Sequence, residues 1–343
     1  MVIYTGIGSA IGFTEEATFN EAAGTSALIE TPDFKGGMES LDASKEILYP
    51  EYLASSGRRG ADISVLSESV SGGVTLDPRW DGKSWWMILS HLCGQYSSKS
   101  ADGSQFKHTM NFGSQSPDES AKPNTVGIQA TVDRGATTGA TCYRGLKPIS
   151  SEFTWAFDQT LSMANDFMGC EASAVGPVTF TAAASTNPLM VSPYTSATQF
   201  LQFGGTGYNC ASSSIKFERP RIAVNDISTA VAKSLTPDGF FKCSGSFEIF
   251  ALDDASVSAF DVLMQDYRAQ TRREIILTVA GANSNDFVIT VPSATITTAP
   301  TNHVDGAGAQ KVTIEWEACV EASAYLAGIV LTNDNDLAKG FRA

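Results

Sequence analysis

Two stretches of the chain carry a hydrophobic period near 3.6. Trp85, Ile88, Leu89 and Leu92 stand at i, i+3, i+4 and i+7 in the segment after Asp81, and Gly94 is placed to cap its C-terminus. Val257, Phe260, Met264 and Tyr267 share one face of a second predicted helix after Asp254. Elsewhere the clearest period is two. Ser71–Asp77 and Phe241–Leu252 read as strands that lead into the two helices. Farther on, Phe153, Trp155 and Phe157 mark one alternating strand, and Val312, Ile314 and Trp316 mark another.

The order of these elements repeats. Trp85 with Val257, Ile88 with Phe260 and Leu92 with Met264 keep one constant offset. The two alternating strands follow at a shorter offset, which a longer loop in the first half explains. Strand, helix and strands, twice over, point to a degenerate internal duplication. The expected halves are residues 1–175 and 176–343. Residues 1–34 read as an extended arm with a short strand, and 42–60 as a long connection carrying Tyr49, Tyr52, Arg58 and Arg59. Long loops of this kind are often functional, and Tyr and Arg are enriched at interfaces. Residues 97–124 read as another exposed connection. Residues 174–213, rich in Ala, Ser, Thr, Gly and Pro, read as an insertion at the boundary between the halves.

Alternate positions of a strand point to opposite faces. Opposite the apolar stripes stand Thr75 and Asp77; Glu152, Thr154 and Asp158; Ser244, Ser246 and Glu248; and Thr313, Glu315 and Glu317. Any half-exposed sheet has polar outward positions. That does not explain why each of these four strands carries a carboxylate, with Lys311 the one cation among them, at a strand end. Such a face repels phosphate while its hydroxyls keep it wetted.

Composition narrows the picture. The 343 residues are 43% hydrophobic and 17% charged, enough to bury a core, and the many Gly, Ser, Thr and Ala residues lean towards a mainly β protein. Twenty-three Lys and Arg against 37 Asp and Glu give a net charge of -14, which excludes a generally basic nucleic-acid binder. A protein that lets DNA slide past without holding it remains open. No signal peptide is expected, since the first basic residue is Lys35, and no apolar run approaches bilayer length. Cys93, Cys142, Cys170, Cys210, Cys243 and Cys319 lack zinc spacing and are expected as buried or half-buried thiols. His91, His108 and His303 share no ligand spacing, Gly6-x-Gly8-x-x-x-Gly12 is one residue too long for a dinucleotide loop, and no nucleophile elbow is present. Asn333–Asp336 lacks the Gly and distal Glu of a calcium loop. No catalytic residue, metal or cofactor is expected.

The chain resembles the tail tube proteins of long-tailed bacteriophages, of the duplicated-fold type. The likeness starts at Ile7-Gly8-Ser9-Ala10-Ile11-Gly12-Phe13-Thr14-Glu15-Glu16-Ala17-Thr18-Phe19 and continues through Ser71–Asp77 into the Trp85–Gly94 helix. It resumes at Gly145-Leu146-Lys147-Pro148-Ile149-Ser150-Ser151-Glu152-Phe153 and Thr154–Asp158, then at Ser214–Glu218 with Val224–Ile227. It closes with Val288–Ile296, Lys311–Ala318 and Ile329–Asn333. The resemblance implies a β-sandwich with a flanking helix, present twice, in a virion protein whose rings close into a β-barrel lumen and stack into a tube. The duplication favours a trimer with quasi-sixfold symmetry over a hexamer. A tape-measure protein inside, terminator or baseplate proteins at the ends and double-stranded DNA in transit are the implied partners. Asp77, Glu152, Asp158, Glu248, Glu315 and Glu317 are then candidates for the bore, and Tyr49, Tyr52, Arg58 and Arg59 for the contact between rings. Two other readings stand beside it: a surface or binding module of two β-sandwiches, and another ring-forming tail component.

Overall fold

The period-two segments fold as strands and the two 3.6-period segments as helices. The structure is a computed structural model and describes residues 10–21, 34–48, 64–102, 105–114, 122–133, 140–156, 159–175, 189–190, 200–225, 228–250, 254–281, 285–303, 311–320 and 325–334. The chain begins with β1 (Ala10–Glu15), β2 (Phe34–Glu39), β3 (Asp42–Leu48), β4 (Ser64–Leu76) and helix α1 (Lys83–Cys93). Next come β5 (Ser98–Asp102), β6 (Gln105–Phe112), the one-turn α2 (Lys122–Thr125), β7 (Ile128–Asp133), β8 (Ala140–Ala156), β9 (Ser162–Gly169) and β10 (Glu171–Val175). Then follow β11 (Leu201–Phe203), β12 (Thr206–Tyr208), β13 (Cys210–Glu218), β14 (Arg221–Val224), β15 (Ser234–Pro237), β16 (Lys242–Phe250) and helix α3 (Asp254–Ala269). The last strands are β17 (Arg273–Ala280), β18 (Asp286–Ile296), β19 (Thr301–His303), β20 (Lys311–Ala318) and β21 (Ala327–Asn333).

Pairing sorts the strands into two facing layers. The first runs β3–β4–β9–β8–β13–β16–β20–β19, every neighbour antiparallel, with β2 sharing the β4 edge with β3. The second runs β5–β6–β21–β18–β17–β11–β12, also antiparallel. The end of β18 bends across to pair with β20 and joins the layers. The first half of β8 pairs with β7 and β10, and β7 pairs with β1. The β14–β15 ribbon stands apart.

The layers bury one core. Phe153, Trp155, Ile215, Phe217, Phe247, Ile314 and Trp316 from the first face Met110, Phe112, Ile275, Leu277, Phe287, Ile289, Ile329 and Leu331 from the second in a single contiguous cluster. Helix α1 sits in this core. Trp85 contacts Phe153 of one layer (centroids 6.5 Å) and Phe287 of the other (5.6 Å). All of Ser84–Cys93 is buried, so the apolar stripe of the sequence underestimates it: a helix covered on every side belongs to the interior. Gly94 caps it as expected, with φ of 75° and its N–H donating to Ser90 O. Helix α3 is the surface counterpart. Leu263 is its fully buried apolar residue among those whose side chains are described, and Val262 stays exposed.

Three expected loops contain strands. Residues 42–48 are β3, paired along β4 through Ser44 and Ser69, and the connection begins after them. Residues 98–112 hold β5 and β6, where His108, Met110 and Phe112 alternate inward among polar residues that hid the period. Residues 201–213 supply β11, β12 and the start of β13. The cysteines are free, four buried and two half-buried, as the sequence suggested.

Candidate functional site: the polar face of the long sheet

Burial alternates along β13, along the last part of β8 from Ser151 to Ala156, and along most of β16 and β20, so one face of the first layer is apolar and the other polar. The register places the polar residues in rows. Thr75 of β4 lies beside Ala164 of β9, followed by Glu152 of β8, Lys216 of β13, Ser244 of β16, Glu317 of β20 and Thr295 of β18. The next row reads Thr154, Ser214, Ser246 and Glu315. A third reads Ala156, Ser212, Glu248 and Thr313. Four of the candidate carboxylates, Glu152, Glu248, Glu315 and Glu317, therefore share one continuous surface. Asp77 follows the end of β4 and accepts from Thr160 Oγ1 at 3.4 Å. Asp158 and the loop residues Tyr49, Tyr52, Arg58 and Arg59 lie outside the described residues.

The same register adds residues that the sequence reasoning missed. Asp42 and Glu46 of β3, Asp166 of β9 and Glu218 of β13 extend the acidic character. Lys216 and Lys242 join Lys311 on this face, so the sign is less uniform than the first four strands implied. The signal was the alternation in Cys210–Glu218, which makes β13 a fifth strand between the expected ones. Lys216 pairs with Glu218 at 2.7 Å and Lys311 with Glu248 at 2.9 Å. The hydrogen bond to Glu218 raises the Lys216 pKa, with Glu152 and Asp166 adding to the pull. The remaining carboxylates leave the face anionic. Serines fill the gaps and bond laterally, Ser44 to Ser69 at 3.0 Å and Ser214 to Ser246 at 3.1 Å.

Behind this face a buried ionic network fixes the elements. Glu16 accepts from Gly145 N and Asn20 N, both at 2.7 Å, and burial pushes its pKa up to about 7. His91 lies 3.1 Å from Glu15, which also accepts from Tyr96; burial pulls the imidazole pKa down to about 4. Lys147 donates to the carbonyls of Pro123, Asn124 and Val126, and burial draws its pKa down to about 6. Arg219 donates to Leu92 O at 3.3 Å, and Arg221 to His91 O at 3.2 Å. Two cations from the later half thus satisfy the C-terminal carbonyls of α1, where positive charge is favoured. Among the described residues no group of acids, histidines and cysteines could hold a metal ion. Among the described residues no helix is long and apolar enough to cross a membrane.

A two-layer antiparallel sandwich with a broad polar face defines a mainly β protein built around a surface. Residues 6–318 match the family described as phage tail tube protein. The chain belongs to that family. Among solved structures it is similar to the SPP1 tail tube, an NMR ensemble from a hybrid of solid-state NMR and cryo EM. Identity is 15%, over 54% of this chain and 76% of that one, with a TM-score of 0.21. At that score the family match, and not the superposition, carries the assignment. No curated protein matches.

Proposed function

We propose that the chain polymerises as stacked rings into a phage tail tube, with the polar face of the first layer lining the bore through which double-stranded DNA is ejected. The observation that carries this is the shared surface of Glu152, Glu248, Glu315 and Glu317, interleaved with Ser and Thr across the four antiparallel strands β8, β13, β16 and β20. A phosphate polyanion is repelled by fixed carboxylates, while hydroxyls hold water against the wall, so duplex crosses without adhering. No catalytic step is required of such a wall.

Strand spacing bears on the ring. Eight strands per chain line this face. At about 4.8 Å per strand, two chains close a backbone circle of only about 24 Å, three about 37 Å and six about 73 Å, before tilt widens each. A side-chain layer of roughly 5 Å on each wall is then subtracted. Three is the smallest number that leaves room for a duplex, which supports the trimer of duplicated subunits. In this reading Tyr49, Tyr52, Arg58 and Arg59 contact the next ring, a tape-measure protein occupies the bore during assembly, and terminator or baseplate proteins close the ends. The chain then resides in the virion tail. Negative-stain microscopy of the purified protein with its mass per ring tests the reading. Hollow tubes with three chains per ring are expected. A chain that stays monomeric at high concentration and does not enter tails assembled with the other tail proteins would refute it.

A further inference from the structure

The β14–β15 ribbon is seated apart from the main core. Its two strands pair with each other and with no other strand among the described residues. It rests on a small separate cluster, in which Cys170, Ala232 and Leu235 are buried and Phe19, Met168, Ala223 and Val231 pack against them. Arg221 adds hydrogen bonds to Pro148 O and Leu235 O, and Glu68 N donates to Ala230 O at 2.9 Å. Ile222 and Val224 on the ribbon stay exposed. A region with so little buried apolar contact opens at low cost, so each contact that seats it counts.

The aromatic ring in that cluster comes from far away in the chain. Phe19 lies in the turn of residues 16–21 that follows β1, over Gly145, where a Cβ would stand 3.4 Å from the ring. Glu16 is the main fastening of this turn. Its Oε1 accepts from Gly145 N and its Oε2 from Asn20 N, and Glu16 N donates to Gly127 O at 3.0 Å. Asn20 has φ of 59°, and its Nδ2 donates to Glu171 at 3.3 Å. Glu16 thus sets both the shape of the turn and the place of Phe19, and it is fully buried. The charged and titratable groups around it are Glu15 on its own strand, Cys142, Arg144 and Lys147 from β8, Cys170, and Glu171 from β10. Arg144, Lys147 and the two N–H groups favour the carboxylate, but burial outweighs them and favours the neutral acid. Both cations keep partners of their own, Arg144 in Glu171 and Lys147 in the carbonyls of Pro123, Asn124 and Val126. Glu15 turns instead to His91.

We propose that residues 16–21 form a proton-controlled strap: with Glu16 protonated the strap is docked and Phe19 holds the β14–β15 ribbon on its seat, and with Glu16 ionised the strap lifts and the ribbon loosens. The sign follows from the burial. Docked, Glu16 titrates at about 7, and lifted into water it returns to the usual 4.5. The open form is therefore favoured progressively between pH 4.5 and 7, by up to roughly 300-fold, and no further above that. Lifting the strap uncovers Ala232 and Leu235 beside the exposed Ile222 and Val224, so the proton sets how much apolar surface the chain offers. The device belongs to the single chain and stands independently of the tube reading.

Hydrogen–deuterium exchange of the unassembled chain, read by mass spectrometry from pH 4.5 to 7 and corrected for intrinsic exchange, tests it on peptides covering residues 16–21, β14–β15, β8 and β13. Protection of the strap and of the ribbon should fall together towards pH 7, by at least about tenfold. In Glu16→Gln, which cannot titrate, both should keep one level of protection throughout. Strap protection that does not change with pH, or that changes as much in Glu16→Gln, would overturn the proton control. A strap that loosens beside a ribbon that stays protected would overturn the clasp. An equal loss in β8 and β13 would make the effect global and overturn both. If Glu16→Gln does not fold, the native profile and Phe19→Ala carry the test. At pH 4.5 the ribbon of Phe19→Ala should be at least about tenfold less protected than the native one, and equal protection would overturn the clasp.

Discussion

Reversing charge on the polar face separates its role in folding from its role towards DNA. In the double variant Glu248→Lys, Glu315→Lys, the first substitution removes the ion pair with Lys311, whose side chains are 28% and 42% exposed. A pair that open to water is worth at most about 1 kcal/mol, and the repulsion added beside Lys311 is of similar size. Glu315 is exposed and accepts one hydrogen bond, from Thr298. The combined cost is roughly 1–2 kcal/mol against the 5–15 kcal/mol typical of a folded domain, so the variant folds. Its effect on the bore is much larger. Each substitution shifts the local charge by two units, hence four per chain and about a dozen per three-chain ring. Lysines that engage phosphates release counterions, with a logarithmic salt slope near −0.9 per phosphate. A site holding four phosphates loses roughly 10²-fold in affinity between 50 and 200 mM salt. Cosedimentation of tubes with short duplexes should show DNA retained by the variant at low salt and released at high salt, and none retained by the native tube. Equal sedimentation of DNA with both tubes at every salt would refute the anionic bore. Loss of folding far beyond the surface estimate would instead make these carboxylates structural.

Gly94→Ala should destabilise the chain by about 2 kcal/mol or more in thermal unfolding, because φ is +75° and a Cβ would stand 2.3 Å from the Arg219 guanidinium that caps α1; an unchanged melting temperature would discount that cap. The buried network gives two opposed pH terms. His91, held near 4 against a usual 6.5, refuses a proton that the unfolded chain accepts, so stability falls by about 3 kcal/mol as pH drops from 6.5 to 4. Glu16, raised to about 7, binds its proton before the unfolded chain does, so its contribution is present at acid pH and lost as pH rises through 7. His91→Gln should therefore flatten the acid loss and Glu16→Gln sharpen it, and identical stability–pH profiles for the native chain and both variants would count against these assignments. Removing residues 49–58 should leave a folded chain that forms no long tubes under the microscope; tubes of ordinary length would remove the loop from the contact between rings.

The sequence made the strands legible wherever one face met the core and the other met water. Glu152, Thr154, Ser244, Ser246, Thr313 and Glu315 could be placed on their face because Phe153, Trp155, Phe247, Val312, Ile314 and Trp316 fix the opposite one. β6 and β13 were harder for different reasons. In β6 the inward positions include Gln105 and His108, so the apolar half of the period is blurred. In β13 two outward residues are serines, and the strand starts in a stretch whose composition suggests a loop. Missing β13 hid Lys216, and with it the paired lysines that temper the acidic face. The ionic network was invisible because its members lie far apart in the chain and meet only on folding: Arg221 reaches the carbonyl of His91 in α1, and Lys147 those of Pro123, Asn124 and Val126 in and after α2. Their burial, not their spacing, is what marks them.

The network and the sheet face are two sides of one construction. Arg219, just past the end of β13, and Arg221, which opens β14, enter the core to hold α1, while Lys216 and Glu218 of β13 point to the polar face. α1 in turn wedges Trp85 between the two layers. A shift of β13 against β8 would have to break these buried charge-assisted bonds, each costly to leave unmade in a low-dielectric interior. The internal junction is thereby fixed in register. A strand slipped by one residue would turn its hydroxyls and carboxylates into the core and its apolar side chains outward. A continuous polar wall needs every junction in register, and within the chain it is the helix cap that holds it there.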